Sequence, residues 1–257
     1  MATGLTTQSH TLALQVRGLS KRYAGADTPV WADVSFDVPK GQRLAIIGGN
    51  GAGKSTLLRC CMRLIEPDTG QILLAEQDLT RQRGQALTKA RAKVGIVFQK
   101  HNLVGRLSVL TNVLHGAMAR EASPRLWFQG LASNEARDYA MHCLEQVNLG
   151  HLATRRADEL SGGQSQRVAI ARALMQKPDM IFADEPVASL DPQAGEDVMQ
   201  VFSDLTKDKG LTLLFVTHHL EHAMHYADRV IGLQQRRVQL DACVSRLSAQ
   251  ELRGIYA

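Results

Sequence analysis

The chain has 257 residues, of which 44% are hydrophobic and 21% charged, and a net charge of +5. The length suits one large domain or a core with a subdomain, and the composition is that of an ordinary globular protein. A basic balance would suit nucleic acid or an anionic membrane surface, but Lys and Arg are spread along the chain, so the charge does not single out nucleic acid.

The cysteines Cys60, Cys61, Cys143 and Cys243 show no metal-ligand spacing and read as buried or incidental thiols of a reducing compartment such as the cytoplasm. The first ten residues are polar, so no secretory signal is expected, and no apolar run approaches bilayer-spanning length. Any role at a membrane therefore requires a partner chain.

In chain order, alternation predicts strands over Thr11–Leu19 and Val34–Val38, separated by a loop of small residues from Ala24 to Thr28. Tyr23, placed with that loop, is either a partly buried surface residue or an aromatic able to stack on a base. The apolar run Leu44–Ile47 then leads into Gly48, Gly49, Asn50, Gly51, Ala52, Gly53, Lys54, Ser55 and Thr56. This is the pattern G-x-x-x-x-G-K-[ST], a phosphate loop followed by a helix. Its glycines let backbone N–H groups curl around phosphate oxygens, Lys54 can reach the β- and γ-phosphates, and Ser55 can ligate Mg2+. An ordinary Gly-rich turn would not require strand, loop and helix in this order.

Beyond the loop, Leu57, Leu58, Cys61, Leu64 and Ile65 predict a buried helix face that runs to the turn Pro67–Gly70. A strand over Ile72–Leu74, a basic helix over Arg81–Lys93 and a strand over Val94–Phe98 follow, and Gln99 stands at the last strand's exit. Helical spacing recurs over Ser108–Arg120 and Asn134–Val147, which predicts a helical insertion. At Leu160 to Arg167, Ser161 and Gln164 have capping-box spacing around Gly162 and Gly163, so this helix start is either simply capped or a second anion site.

Met180–Ala183 reads as a buried strand that delivers Asp184 and Glu185 together. Asp184 is placed like the acid that holds Mg2+ in phosphate-loop enzymes, and Glu185 like a general base for the attacking water. Asp191 and Pro192 begin another helix, and the strand Leu211–Val216 ends at Thr217 and His218, a residue that is structural or a donor to the γ-phosphate. His218, His219, His222 and His225 also invite a metal reading, set against solvated helix histidines. Arg229–Leu240 predicts a hairpin, and Leu247–Tyr256 a closing helix.

Taken in order, GGNGAGKST, Gln99, LSGGQ at Leu160–Gln164, MIFADE at Met180–Glu185, SLDP at Ser189–Pro192 and His218 resemble the ABC transporter ATPase subunits over nearly the whole chain. The resemblance implies an α/β fold. A phosphate-loop NTPase (RecA-like) core with an N-terminal antiparallel β subdomain would span 10–98 and 160–243. The α-helical subdomain would occupy 99–159 and a C-terminal helix 244–257. It also implies ATP and Mg2+ as cofactors, with Ser55, Gln99 and Asp184 at the metal and Glu185, His218 and Gln99 in catalysis. Tyr23 matches the adenine-stacking position. A head-to-tail homodimer would bring Ser161, Gly162, Gly163 and Gln164 of one copy to the γ-phosphate on the other, with Asp191 near the shared interface. Gln99 would sense an integral membrane permease.

A finer resemblance, carried by His101–Leu114, Glu185–Pro192 and the closing LSAQELRGIYA, points to the phosphonate importer ATPases. Gly49, Ser165 and Arg236 depart from the family pattern without removing a catalytic group, whereas His219 to His222 depart from this subgroup's usual sequence and leave phosphite or another oxyanion open as cargo. The implied setting is peripheral, on the cytoplasmic side of the inner membrane, with a substrate-binding protein beyond the permease and no nucleic acid. The competing reading is a soluble ABC ATPase serving a multiprotein enzyme such as a carbon-phosphorus bond cleavage complex. A nucleic-acid ATPase is disfavoured by the single nucleotide domain and the lack of a long coiled coil.

Overall fold

The computed structural model describes residues 11–121 and 123–256. The polar stretch 1–10, in which no secretory signal is expected, lies outside the described residues. Strands β1 (Leu12–Lys21) and β2 (Trp31–Pro39) pair antiparallel, and β4 (Thr69–Leu74) and β5 (Gln77–Asp78) extend them into a four-stranded sheet of order β2-β1-β4-β5. Between these elements run β3 (Arg43–Gly48) and helix α1 (Lys54–Cys61). Then come α2 (Gly84–Arg91), β6 (Val94–Val97), α3 (Val109–Leu114), α4 (Asn134–Glu145), α5 (Gly162–Leu174) and β7 (Met180–Asp184). The chain continues through α6 (Pro192–Lys209), β8 (Thr212–Val216), α7 (Leu220–Tyr226), β9 (Arg229–Gln234), β10 (Arg237–Cys243) and α8 (Ala249–Gly254).

The second sheet has the order β10-β9-β3-β8-β7-β6, parallel except for the edge strand β10. Its central strands are apolar on both faces, as a doubly covered parallel sheet requires. The period of two sorts them: Ala45, Ile47, Ile181, Ala183, Leu213 and Phe215 pack with the helical region, while Leu44, Ile46, Phe182, Leu214 and Val216 pack with the antiparallel sheet and α1. Parallel pairing has a direct consequence for the site. Ile46 pairs with Val216, Val216 with Asp184, and Ala183 with Val97, so β3, β8, β7 and β6 all release the chain at one edge.

Two expectations are corrected. The helix after the phosphate loop ends at Cys61 rather than running to Pro67, and Leu64 is 44% exposed instead of lying on its buried face. The cause is Arg63, at φ 50, whose buried guanidinium donates to the carbonyls of Leu79 and Gln82 and to Glu66. Ser108–Arg120 is not one α-helix either: α3 gives way at His115 to a 3-10 segment, His115–Ala119. There Gly116 packs so closely on α5 that a Cβ would stand 2.0 Å from the Arg172 carbonyl oxygen. Three cysteines are buried as expected, and Cys243 is exposed.

Trp31 is fully buried between the two sheets, and its indole N–H donates to the Gly53 carbonyl at 3.2 Å. Trp31→Ala is expected to cost about 3–5 kcal/mol, by analogy with other buried aromatic truncations. A urea midpoint matching the unmutated protein's would contradict this bracing role.

Candidate active site

The phosphate loop begins where β3 ends. Gly48 has φ 152, and a Cβ there would come within 2.5 Å of the Leu233 carbonyl oxygen on β9. Gly53 has φ 86, and a Cβ would meet Val30 at 2.3 Å and the Trp31 ring at 2.7 Å. Steric exclusion therefore fixes glycine at both ends of the curl. Lys54 opens α1 with its side chain folded back across the loop, donating to the carbonyls of Gly48 at 2.9 Å and Gly49 at 3.2 Å. Its burial pulls the ammonium pKa below the usual lysine value, against the opposing pull of Glu185 and Asp184.

Next to Lys54, the Ser55 hydroxyl donates to Asp184 Oδ1 at 2.6 Å. Asp184, buried at the end of β7, accepts from Arg59 at 3.0 Å through its other oxygen. Glu185 follows at φ 48, a left-handed backbone state that is uncommon for a non-glycine residue and that clusters at functional sites. Its N–H is tied to the Val216 carbonyl at 3.2 Å, and its carboxylate stands 3.9 Å from Lys54 Nζ and 3.6 Å from His218 Nδ1. The structure thus links the loop, through Lys54 and Ser55, with Asp184, Glu185 and His218 in one network of contacts.

Tyr23 sits beside this cluster, 46% exposed, with its hydroxyl 3.2 Å from Thr56 Oγ1. Gln99 lies two residues beyond β6, exposed at the same sheet edge, and among the described residues its side chain makes no hydrogen bond to Ser55 or Asp184. Ser161 caps α5: its hydroxyl accepts from the Gln164 N–H, and the Gln164 side chain accepts from the Ser161 N–H. Ser161 and Gly162 remain exposed, while Gly163 is buried against Ala194. Asp191 caps α6 through the Ala194 N–H at 3.0 Å.

The histidines form a stacked row, with ring centroids 4.2 Å apart for His218 and His219 and 4.9 Å for His219 and His222. His222 ends on Glu196 at 3.0 Å, and Glu196 also accepts from Tyr226 at 2.6 Å. The rings do not converge on a point, and among the described residues no group of three or more His, Cys, Asp or Glu could hold a metal ion. Burial, followed by the neighbouring His218 and His222, lowers the His219 pKa and favours its neutral form.

Three neighbours of the site were not anticipated from the sequence. Arg59 follows Ser55 by one helical turn, a spacing that could have placed it on the same face. Trp31 braces Gly53 from beneath, as described above. Tyr256 arrives from the far end of the chain: it lines the same cavity as Gly49 to Ala52, and its hydroxyl reaches the Thr217 carbonyl at 3.5 Å. No local pattern could have announced that contact.

A phosphate loop at a parallel-sheet edge, with Ser55 bonded to a strand-end aspartate, defines a phosphate-loop nucleoside triphosphatase. The sequence pattern of the family "ABC transporter" matches residues 31–188. The chain belongs to that family. Similar proteins include the phosphonates import ATP-binding protein PhnC of Bradyrhizobium diazoefficiens, 46% identical over 243 residues that cover 95% of this chain and 89% of the relative. The PhnC of Bordetella parapertussis is 41% identical over 248 residues, covering 95% and 96%. Among solved structures, the dimeric ATP-binding cassette MJ0796 bound to ADP and Pi is similar with a TM-score of 0.77 and 32% identity, covering 90% of this chain and 98% of its own. CbiO1 of Clostridium perfringens, part of a cbiONQ transporter complex, has a TM-score of 0.82 and 29% identity, covering 95% and 93%.

Proposed function

We propose that this protein is the ATP-hydrolysing subunit of an importer for phosphonate or a related phosphorus oxyanion such as phosphite. The observation that carries the reading is the Lys54, Ser55, Asp184 and Glu185 cluster on a chain 39–46% identical to phosphonate import ATP-binding proteins. In this reading Lys54 and the loop N–H groups hold the β- and γ-phosphates, and Tyr23 stacks on the adenine. Glu185 accepts the proton of the attacking water, and His218 donates to the γ-phosphate.

Ser55 and Asp184 present hard oxygen donors 2.6 Å apart, a set that fits Mg2+ completed by Gln99 and phosphate oxygens. The ion, when bound, neutralises charge on the phosphates. Arg59 holds the second Asp184 oxygen and so fixes the plane of the carboxylate.

Ser161, Gly162, Gly163 and Gln164 complete the site on a second copy, which is why the loop in one chain is half of a functional unit; Asp191 stands near that interface. Among the described residues no helix is long and apolar enough to cross a membrane, so the reading assigns transport to a separate permease and the chain to a peripheral position on the cytoplasmic side. The permease seats in the groove between core and helical region (99–159) that Leu64, Arg91, Phe98 and His115 line beside Gln99. A substrate-binding protein supplies the cargo.

A deletion strain is expected to lose growth on phosphonate or phosphite as sole phosphorus source while growing normally on phosphate. Undiminished uptake of both would overturn the cargo assignment, and recovery of the protein with a soluble enzyme complex instead of a permease would overturn the importer reading.

A further inference from the structure

Next to the groove assigned to the permease, a second cleft of about 430 Å3 opens between α2, the end of the 3-10 segment His115–Ala119 and the turn from α5 to β7. The two share Ala92, Ala119 and Gln176 in their walls. Lys89, Lys93, Arg120 and Lys177 line the cleft, and all four are exposed. The ion pairs among the described residues engage other cations and leave these four without a carboxylate within 4.0 Å. Lys177 leans on the Tyr139 ring at 4.5 Å. The acidic neighbours in sequence are Glu121, beside Arg120, and Asp179, which lines an adjoining cavity with Lys40, Lys93 and Lys209, so that one carboxylate there is shared among three lysines. The cleft is therefore strongly positive.

The loop that leaves Arg120 then exposes three large apolar side chains: Trp127 at 58%, Phe128 at 61% and Leu131 at 61%. His115, a wall of the permease groove, ties this loop in place, with its Nε2 3.3 Å from the Trp127 carbonyl and its ring 6.2 Å from the indole. Unneutralised cations, joined through the His115 groove to a loop of exposed aromatics, supply the pairing that interfacial membrane anchors use, in which cations meet lipid phosphates and aromatic rings enter the headgroup layer. A free phosphate ion would use the cations but gain nothing from Trp127 and Phe128.

We propose that this surface contacts the headgroups of anionic phospholipid, holding the ATPase against the bilayer beside its permease. The inference rests on the reading of a membrane-docked importer subunit. Its test does not, because the vesicles contain no permease. The full-length protein is mixed with sedimenting vesicles of equal parts phosphatidylglycerol and phosphatidylcholine, and with vesicles of phosphatidylcholine alone. Binding is expected on the first and not the second, weakening as salt rises.

At about fivefold per cation, Lys89→Gln/Lys93→Gln/Arg120→Gln is expected to bind about a hundredfold more weakly with unchanged ATPase activity in solution. Trp127→Ser/Phe128→Ser should weaken binding without altering its salt dependence. Equal binding to both vesicle types, or full binding by the triple variant, would overturn the proposal. So would a triple variant that binds anionic vesicles normally but fails to assemble with the permease in neutral-lipid nanodiscs, since the cleft would then serve the permease.

Discussion

Glu185→Gln is expected to bind ATP and to turn it over about 10²–10⁴-fold more slowly, the usual contribution of a positioned general base. The carboxamide is nearly isosteric, so the φ 48 backbone and its bond to Val216 are retained while the proton acceptor is lost. The Lys54 ammonium, 3.9 Å away, loses a partial counterion but keeps the Gly48 and Gly49 carbonyls. Hydrolysis should therefore fail with binding intact, and the variant should accumulate as an ATP-loaded dimer on size exclusion. Near-normal phosphate release by Glu185→Gln would remove this residue from the role of base.

The second large effect is expected from Lys54→Ala. Each charge-assisted hydrogen bond to a phosphate is worth about 1.5–3 kcal/mol, so losing the ammonium should weaken ATP binding about tenfold to hundredfold. The same side chain closes the loop on itself through two carbonyls, and its removal also loosens the curl. These contributions separate by experiment. Fluorescent-nucleotide titration reads the first, while the urea midpoint of the nucleotide-free protein reads the second. An unchanged dissociation constant would mean that Lys54 faces the loop alone.

Much of this architecture was legible because it is written locally. The loop Gly48–Thr56 needs glycines where Cβ atoms would strike Leu233, Val30 or Trp31, and those requirements survive as a pattern. Asp184 and Glu185 are visible as acids at the end of an apolar strand, and Ser161 with Gln164 as a capping box. What escaped depends on contacts distant in sequence or on single backbone choices. Leu64 fits a helical period, but Arg63 ends that helix because its guanidinium finds carbonyls at Leu79 and Gln82 that no spacing rule reveals. Tyr256 comes to line the cavity of Gly49 to Ala52 only after the chain has closed on itself. The row of histidines is a third case: its spacing allows a metal site or solvated helix positions, and packing sets the rings in a tilted row, with 36° and 47° between successive planes, that ends on Glu196.

The order of the parallel strands carries a consequence for synthesis. In space β8 lies between β3 and β7, yet it is made after both. While the chain is emerging from the ribosome, the phosphate loop and the two carboxylates exist without the strand that sets the distance between them. Val216, which pairs with both Ile46 and Asp184, acts as a wedge whose insertion brings the halves into register. Such late, non-local closure is slow, because the entropy of a long loop must be lost before the pairing is gained. A nascent or truncated chain that stops short of Thr212 thus carries the phosphate-loop motif without a working pocket.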